Sequence, residues 1–531
     1  MDTPSFGPYV AFAKSAASHG YTRDAIYNEL LQRGIAEETV GSILQEAQIV
    51  GIYTHPATSA APSSAPAQPQ TFQSPGLLAF PASLPVSNLD PPRLSGTMIG
   101  FLIAGLLCVI PSIVIIFDIP FEMRFGTTIR ALLTIGDIAG VIGLCLYVID
   151  LVLAMRLPKV EDLFGGLNKV YIAHGILGGS ALIAILIHPV LIAVRYAPLG
   201  IGYVGNFFIP SFTYIASAWG VLAVALIIIL LTITFFIHLP YRIWLWSHRL
   251  LGLAYAFMVI HILFEPNTIT DNSFIKWYLL VFMFIGVFAF VYRTILPNIF
   301  VRRYLYMIQD VTQKATGVMQ ITMKPQNKIM KFQAGQFVFI SFHADGLSTE
   351  WHPFTIASAP KDGSFMVDVK SLGAFTETIT RLLPNMVGMT VDVEGAYGRF
   401  SFRNYKNVNQ VWIAGGIGVT PFLSMAQALG SQPCNIDLYY SVRSETELID
   451  IDVLAREQTV RPGQVFRVIP FVSDNMKQFL NVDMIQTTTG DLSKRDFLIC
   501  GPPPMMKAFS KQLLAKGVKK YRIHTEDFSI L

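Results

Sequence analysis

Six long apolar runs fill the middle of the chain, at 96 to 117, 129 to 154, 168 to 193, 213 to 237, 247 to 265 and 275 to 297. Each approaches the ~20 residues a helix needs to cross bilayer hydrocarbon, so six transmembrane helices are predicted. Ahead of them, Ile26, Leu30 and Leu31, then Val40, Ile43 and Leu44, recur at helical spacing, with Thr22, Glu37 and Glu38 near the helix starts. That pattern predicts a small helical hairpin within 1–54, either a solvated appendage or a docking or oligomerisation module. Residues 55–95 are rich in Pro, Ala, Ser and Gln, which bury no core and predict a flexible tether. After the membrane segment (96–298) the texture changes to alternating strands with Gly/Pro turns over 299–407, then to β-α units over 408–531. The fold class expected is multidomain: a helical hairpin, a six-helix membrane bundle, a β-barrel and an α/β domain.

Composition supports that division. Of the 531 residues 52% are hydrophobic and only 14% charged, far from a soluble average. The net charge of +4 comes without a basic stripe interleaved with aromatics, so nucleic acid is not an expected partner. The four cysteines, Cys108, Cys145, Cys434 and Cys500, are scattered and spell neither a disulfide framework nor an iron–sulfur motif. The first apolar run is short and lacks a basic flank, so no secretory signal is expected.

Charge decides orientation. Arg156 and Lys159 follow the second run, Arg242 and Arg249 lie around the junction of the fourth and fifth, and Arg293, Arg302 and Arg303 follow the sixth. The alternate connections are nearly free of Lys and Arg, so the positive-inside rule predicts cytosolic N- and C-termini for an integral protein of the cell membrane.

Ionisable residues at membrane depth are costly and point to function. The third span carries His174 and His188, fourteen residues apart, and the fifth carries His248 and His261, thirteen apart. The two spans run in the same direction, so His174 matches His248 in depth near the cytosol and His188 matches His261 near the outside. At ~1.5 Å per residue the two levels stand ~20 Å apart, room for two porphyrins with two imidazole ligands each. Any one such histidine alone is more simply a helix–helix hydrogen bond; four at matched depths favour two b-type haems. Fourteen residues nearly return to one helix face, whereas thirteen miss it by ~140°, so an irregularity or tilt of the fifth helix is required. His238, at a cytosolic boundary, reads as structural. Arg130 opens the second span near the outer face, either beside a haem propionate or anionic acceptor, or snorkelling to the interface.

In the soluble part, His352-Pro353-Phe354-Thr355 follows a strand-like run, and a Thr hydroxyl beside an aromatic suits a flavin. Gly373-Ala374-Phe375-Thr376 opens a predicted helix whose N–H groups suit a diphosphate. Gly415, Gly416, Gly418, Thr420 and Pro421 form a Gly-rich turn between a strand and a helix, a nucleotide-pyrophosphate signal in its required context. About 20 residues on, Ser441 and Arg443 offer a hydroxyl and a cation with no acidic residue, favouring a 2′-phosphate and hence NADPH, with NADH the alternative. Cys500-Gly501-Pro502 ends a later strand, where a small thiol either admits the nicotinamide to the flavin or is a buried structural cysteine.

Together these residues resemble the ferric reductase and NADPH oxidase superfamily, in which a six-helix transmembrane haem bundle is joined to a cytosolic FAD-binding β-barrel and an α/β NADPH-binding domain. The resemblance covers about 96 to 531, on the two histidine pairs, Glu350-Trp351-His352-Pro353-Phe354-Thr355, the GGxGVTP loop and the Cys-Gly-Pro turn. It implies that His174 with His248 hold the inner haem, that His188 with His261 hold the outer haem, and that Thr355 contacts FAD. It further implies that Arg130 lies near the outer haem and that Phe528 stacks on the flavin where nicotinamide enters, although Ser529, Ile530 and Leu531 follow it here. The implied activity is electron transfer from NADPH to extracytoplasmic dioxygen, giving superoxide. A ferric-chelate reductase, or an electron-transfer subunit serving a partner, are the alternatives. No acidic calcium-binding loop precedes the first span.

Overall fold

A computed structural model describes residues 96–265, 272–344, 350–361 and 363–526, together with Leu30, Val40 and Leu44. The expected N-terminal hairpin and tether fall outside these residues apart from those three, each helical and buried.

Among the described residues six helices are long and apolar enough to cross a membrane. They are α1 (Gly96–Phe117), α2 (Thr128–Ala154), α3 (Leu167–Ala193), α4 (Ile215–Phe236), the fifth span formed by α5 (Tyr241–Arg249) with α6 (Leu251–Phe264), and α7 (Ser273–Phe290). The fifth span begins at Tyr241, earlier than its apolar run, because an amphipathic turn (Tyr241, Trp244, Ser247, His248) leads into it. It is interrupted at Leu250, where α5 ends and α6 starts. Side-chain packing divides the bundle: α2 lies closely along α3 and α4 closely along α6, while α3 and α6 are held apart. Small residues permit the close pairs, with Gly143 of α2 against Ile185 of α3.

The first soluble domain is an antiparallel half-barrel. Its strands are β1 (Arg303–Ala315), β2 (Val318–Pro325), β3 (Phe337–Phe342), β4 (His352–Thr355), β5 (Phe365–Lys370) and β6 (Thr390–Tyr397), in the order β4-β3-β6-β1-β2-β5. The bridge Ile356–Val367 draws its two edges together, and helix α8 (Ala374–Leu382) follows β5. Its core is lined by alternating inward residues such as Tyr306, Ile308, Ile340, Val367 and Val393.

The second is a mainly parallel sheet of order β12-β11-β7-β8-β10-β9, the α/β architecture that alternating strands and helices predict. Its strands are β7 (Asn409–Gly415), β8 (Cys434–Val442), β9 (Thr459–Arg461), β10 (Gln464–Val472), β11 (Asp496–Cys500) and β12 (Ile523–Glu526). Helices α9 (Thr420–Gln427) and α10 (Pro503–Ala515) follow β7 and β11. The continuous apolar character of β7 and β11 reflects burial on both faces.

The half-barrel packs on one end of the bundle. Phe337, Phe339 and Tyr397 join the bundle's own core, and the Arg156 guanidinium lies 4.1 Å from the Phe339 ring centre. The Gly398 N–H donates to Glu161 Oε1 at 2.6 Å, and Arg399 pairs with Asp162 at 3.1 Å. Glu394, 2% exposed, accepts from Arg293 at 2.9 Å and from the Tyr397 hydroxyl at 2.8 Å. Arg156 and Arg293, which the sequence offered only as orientation signals, are therefore also engaged by protein.

Candidate electron-transfer site

The gap between α3 and α6 is bridged by imidazoles. His174 and His248 have ring centres 6.0 Å apart, and His188 and His261 6.4 Å. The interruption at Leu250 falls between His248 and His261, and both rings meet their α3 partners at a thirteen-residue spacing.

Each ring is aimed from behind. The Nδ1 of His188 donates to the Gly136 carbonyl at 2.8 Å, and that of His261 to the Ala216 carbonyl at 2.9 Å. The Nδ1 of His174 faces Asp150, 2.9 Å from Oδ1 and 3.3 Å from the carbonyl oxygen. His248 Nδ1 makes no hydrogen bond among the described residues, and its ring instead lies nearly parallel to Trp244, 8° between planes. Carbonyl acceptors on Nδ1 fix the tautomer that leaves Nε2 with a free lone pair, the arrangement metal-binding histidines use. Glycines make the room: a Cβ on Gly140 would come 2.7 Å from the His188 ring, and one on Gly220 3.0 Å from the His261 ring.

These pairs fit haem iron. Two imidazoles on opposite sides of one metal stand with ring centres about 6 Å apart, given a metal–nitrogen bond of about 2 Å on each side. Among the described residues no cluster of three or more His, Cys, Asp or Glu could hold a metal. A group bringing its own equatorial nitrogens, as a porphyrin does, matches a site that offers only two axial ones. Arg130 is exposed on the first turn of α2, its backbone N–H donating to Thr127 Oγ1, with Gly136 farther along the same helix.

In the half-barrel the structure joins two motifs that the sequence offered separately. His352 of β4 stacks on Phe375 in the first turn of α8, centres 3.5 Å apart. Burial lowers the pKa of His352 to about 4, so the ring is neutral near pH 7, and among the described residues its buried Nε2 has no hydrogen-bond partner. An orphaned polar atom beside an exposed helix start suits a phosphate-bearing flavin. The Thr376 hydroxyl folds the turn by accepting from the Leu372 and Gly373 N–H groups at 2.9 and 3.0 Å. Ala374, Phe375 and Thr376 thus present the helix start. Pro353, Phe354 and Thr355 pair with Phe339, Val338 and Phe337, and Phe354 is buried in the barrel core.

The two soluble domains are tied next to this strand, where Ser424 of α9 donates to the Ser358 carbonyl at 2.6 Å. The Gly-rich turn follows β7: a Cβ on Gly418 would lie 2.5 Å from the Cys500 carbonyl oxygen, so only glycine lets the ends of β7 and β11 meet. Gly415 is equally crowded by Met505 and Pro502, and lies beside Gly501. Thr420 and Pro421 are buried in the first turn of α9. Ser441 pairs with Gly415 across the sheet, and Arg443 projects exposed just beyond β8. Cys500 is 1% exposed at the end of β11. Phe528 lies outside the described residues; β12 ends at Glu526, opposite Cys500.

Three family models match in chain order: a ferric reductase like transmembrane component over 139–259, an FAD-binding domain over 305–413 and an oxidoreductase NAD-binding domain over 412–511. The chain thus joins a ferric reductase like transmembrane component to FAD-binding and NAD-binding domains, and its homologues include a ferric reduction oxidase and an NADPH oxidase. Ferric reduction oxidase 4 of Arabidopsis thaliana is 25% identical over 53% of this chain and 38% of that one. A superoxide-generating NADPH oxidase heavy chain from Dictyostelium discoideum is 29% identical over 24% of this chain and 20% of that one. The glycine betaine monooxygenase reductase subunit of Chromohalobacter salexigens is 28% identical over 39% of this chain and 58% of its own length. The chain thus spans between 20% and 58% of these three relatives. A flavohemoglobin structure from Malassezia yamatoensis aligns over 66% of this chain and 97% of that one at 18% identity and a TM-score of 0.41, too loose to bear on function.

The sequence had not singled out Asp150, Glu161 or Glu394 for a role. Asp150 carried a signal, a carboxylate inside an apolar run. Glu161 and Glu394 carried none, because their partners lie far away along the chain.

Proposed function

We propose that this chain passes electrons from cytosolic NADPH across the membrane to dioxygen, producing superoxide. The reading rests above all on the two imidazole pairs, 6.0 and 6.4 Å between ring centres, stacked across one bundle. When bound, FAD converts a two-electron hydride into single electrons and two b-type haems relay them outward.

His174 and His248 would hold the inner haem and His188 and His261 the outer. Gly415, Gly416 and Gly418 admit the nucleotide pyrophosphate, Ser441 and Arg443 face a 2′-phosphate, and Cys500 with Gly501 and Pro502 leaves space for the nicotinamide. His352 and the start of α8 hold the flavin phosphates, Thr355 lies at its redox edge, and Phe528 covers the face that nicotinamide must reach. If His188 and His261 both held the outer haem, they would supply its protein ligands, and dioxygen would be reduced at the outer edge of the site, toward Arg130.

Likeness to ferric reduction oxidase 4 favours a second reading, a ferric-chelate reductase with the same wiring. The deciding experiment mixes purified protein in detergent with NADPH under anaerobic conditions and then admits dioxygen beside a superoxide probe. Bis-histidyl haem that is reduced and then rapidly reoxidised with a dismutase-sensitive signal supports the oxidase. Haem that stays reduced in oxygen until a ferric chelate is added supports the reductase, and a preparation with no haem spectrum rejects both.

A further inference from the structure

A carboxylate inside a membrane helix must find a partner. Asp150 of α2 finds His174: Oδ1 stands 2.9 Å from Nδ1, while the hydrogen bond from that nitrogen goes to the Asp150 carbonyl oxygen at 3.3 Å. Room for the carboxylate comes from α3, where a Cβ on Gly178 would sit 3.1 Å from Asp150 Oδ2. The outer pair is built differently. His188 and His261 both donate to neutral backbone carbonyls, at 2.8 and 2.9 Å, and the nearest carboxylate oxygen, on Glu265, is 4.0 Å from His261 Nδ1, beyond hydrogen-bond reach. One level of the bundle therefore has a carboxylate oxygen 2.9 Å from a histidine nitrogen, and among the described residues the other has none so close.

A carboxylate 2.9 Å from Nδ1 attracts the proton there more strongly than a carbonyl alone does, and that makes the imidazole a better electron donor to whatever its other nitrogen binds. A more basic ligand favours the more highly charged metal. We propose that Asp150 is a positioning residue that sets the potential of the inner haem below that of the outer one, so that the direction of electron flow is written into the helix contacts behind the histidines. This rests on the reading above that the histidine pairs hold haems.

The test is a potentiometric titration of the purified holoprotein, followed in the visible spectrum and by the electron paramagnetic resonance of the ferric haems. Asp150→Asn keeps the size and the backbone carbonyl that accepts from Nδ1 but removes the carboxylate. Its lower midpoint should rise by the equivalent of a tenfold change in ferric-to-ferrous ratio, about 59 mV for one electron, while the upper stays in place. Asp150→Glu should restore part of the difference. Gly178→Ala, which crowds the carboxylate without removing it, should move the same midpoint the same way by less. Full haem content with an unmoved lower midpoint, or movement of the upper one, overturns the proposal. If Asp150→Asn loses the inner haem, the Gly178→Ala midpoint decides. A wild-type preparation without haem rejects the haem reading itself, a result distinct from haem that is present and indifferent to Asp150.

Discussion

Glu394 of the flavin domain accepts from Arg293, at the end of the sixth span, across 2.9 Å, and Arg156 stands 3.7 Å from the same oxygen. One carboxylate therefore serves two guanidiniums and the Tyr397 hydroxyl at a seam where it is 2% exposed. Removing one member of such a buried set strands the others, at a cost of about 3 to 5 kcal/mol. Glu394→Ala should lower the melting temperature and slow haem reduction by NADPH, while direct reduction of a soluble dye by the flavin domain persists. Equal loss of both activities would mean that the residue supports the flavin domain alone.

Gly140 and Gly220 predict a graded effect. An added Cβ would come 2.7 Å from the His188 ring but 3.0 Å from that of His261. Gly140→Ala should displace its histidine and lower the haem-to-protein ratio by about half, whereas Gly220→Ala should retain haem with an altered spectrum. Haem analysis of the two variants checks the order; equal, full occupancy in both would contradict it.

At the nucleotide turn the obstacle is backbone. A Cβ on Gly418 would lie 2.5 Å from the Cys500 carbonyl oxygen and 2.7 Å from Gly501 Cα, and neither can swing aside as a side chain can. Gly418→Ala should cost about 1 to 3 kcal/mol through overpacking. FAD content should be kept and the KM for NADPH should rise, both readable by absorbance and dye reduction.

Glu161 makes the seam sensitive to pH. Burial pushes its pKa up to about 7, although the Gly398 N–H donates to it. A carboxyl raised in the folded state contributes stability that is full below about pH 4.3, its ordinary value, and lost as pH climbs through the raised one. Melting temperature should therefore fall from about pH 4 to about 7 and level off above that. Glu161→Gln, which keeps the acceptor oxygen, should flatten that slope and recover on the order of 3 kcal/mol at the alkaline end. A slope unchanged in the variant would assign the pH dependence to another group.

Much of the fold was legible because it is local. Apolar runs of spanning length marked the six helices, and the glycines between Ile413 and Thr420 marked a strand, a turn and a helix in sequence. The site was legible only in part. Depth along a helix can be counted from sequence, so His174 could be set level with His248, but what stands behind each ring cannot. Gly136, Asp150 and Ala216 reach the imidazoles from neighbouring helices, and no periodicity within one helix reports which residue its neighbour presents. The seam was least legible, since Gly398 and Glu161 are 237 positions apart.

The interruption at Leu250 acts as a phase correction. On a straight helix each added or deleted residue rotates everything beyond it by ~100°, so spacing alone would dictate where the second imidazole points. An interruption between the two ligands relaxes that constraint and trades residue count against helix shape. An insertion of one residue on the outer side of Leu250 would therefore misdirect His261 in this chain, even though it would produce the fourteen-residue interval that suits α3.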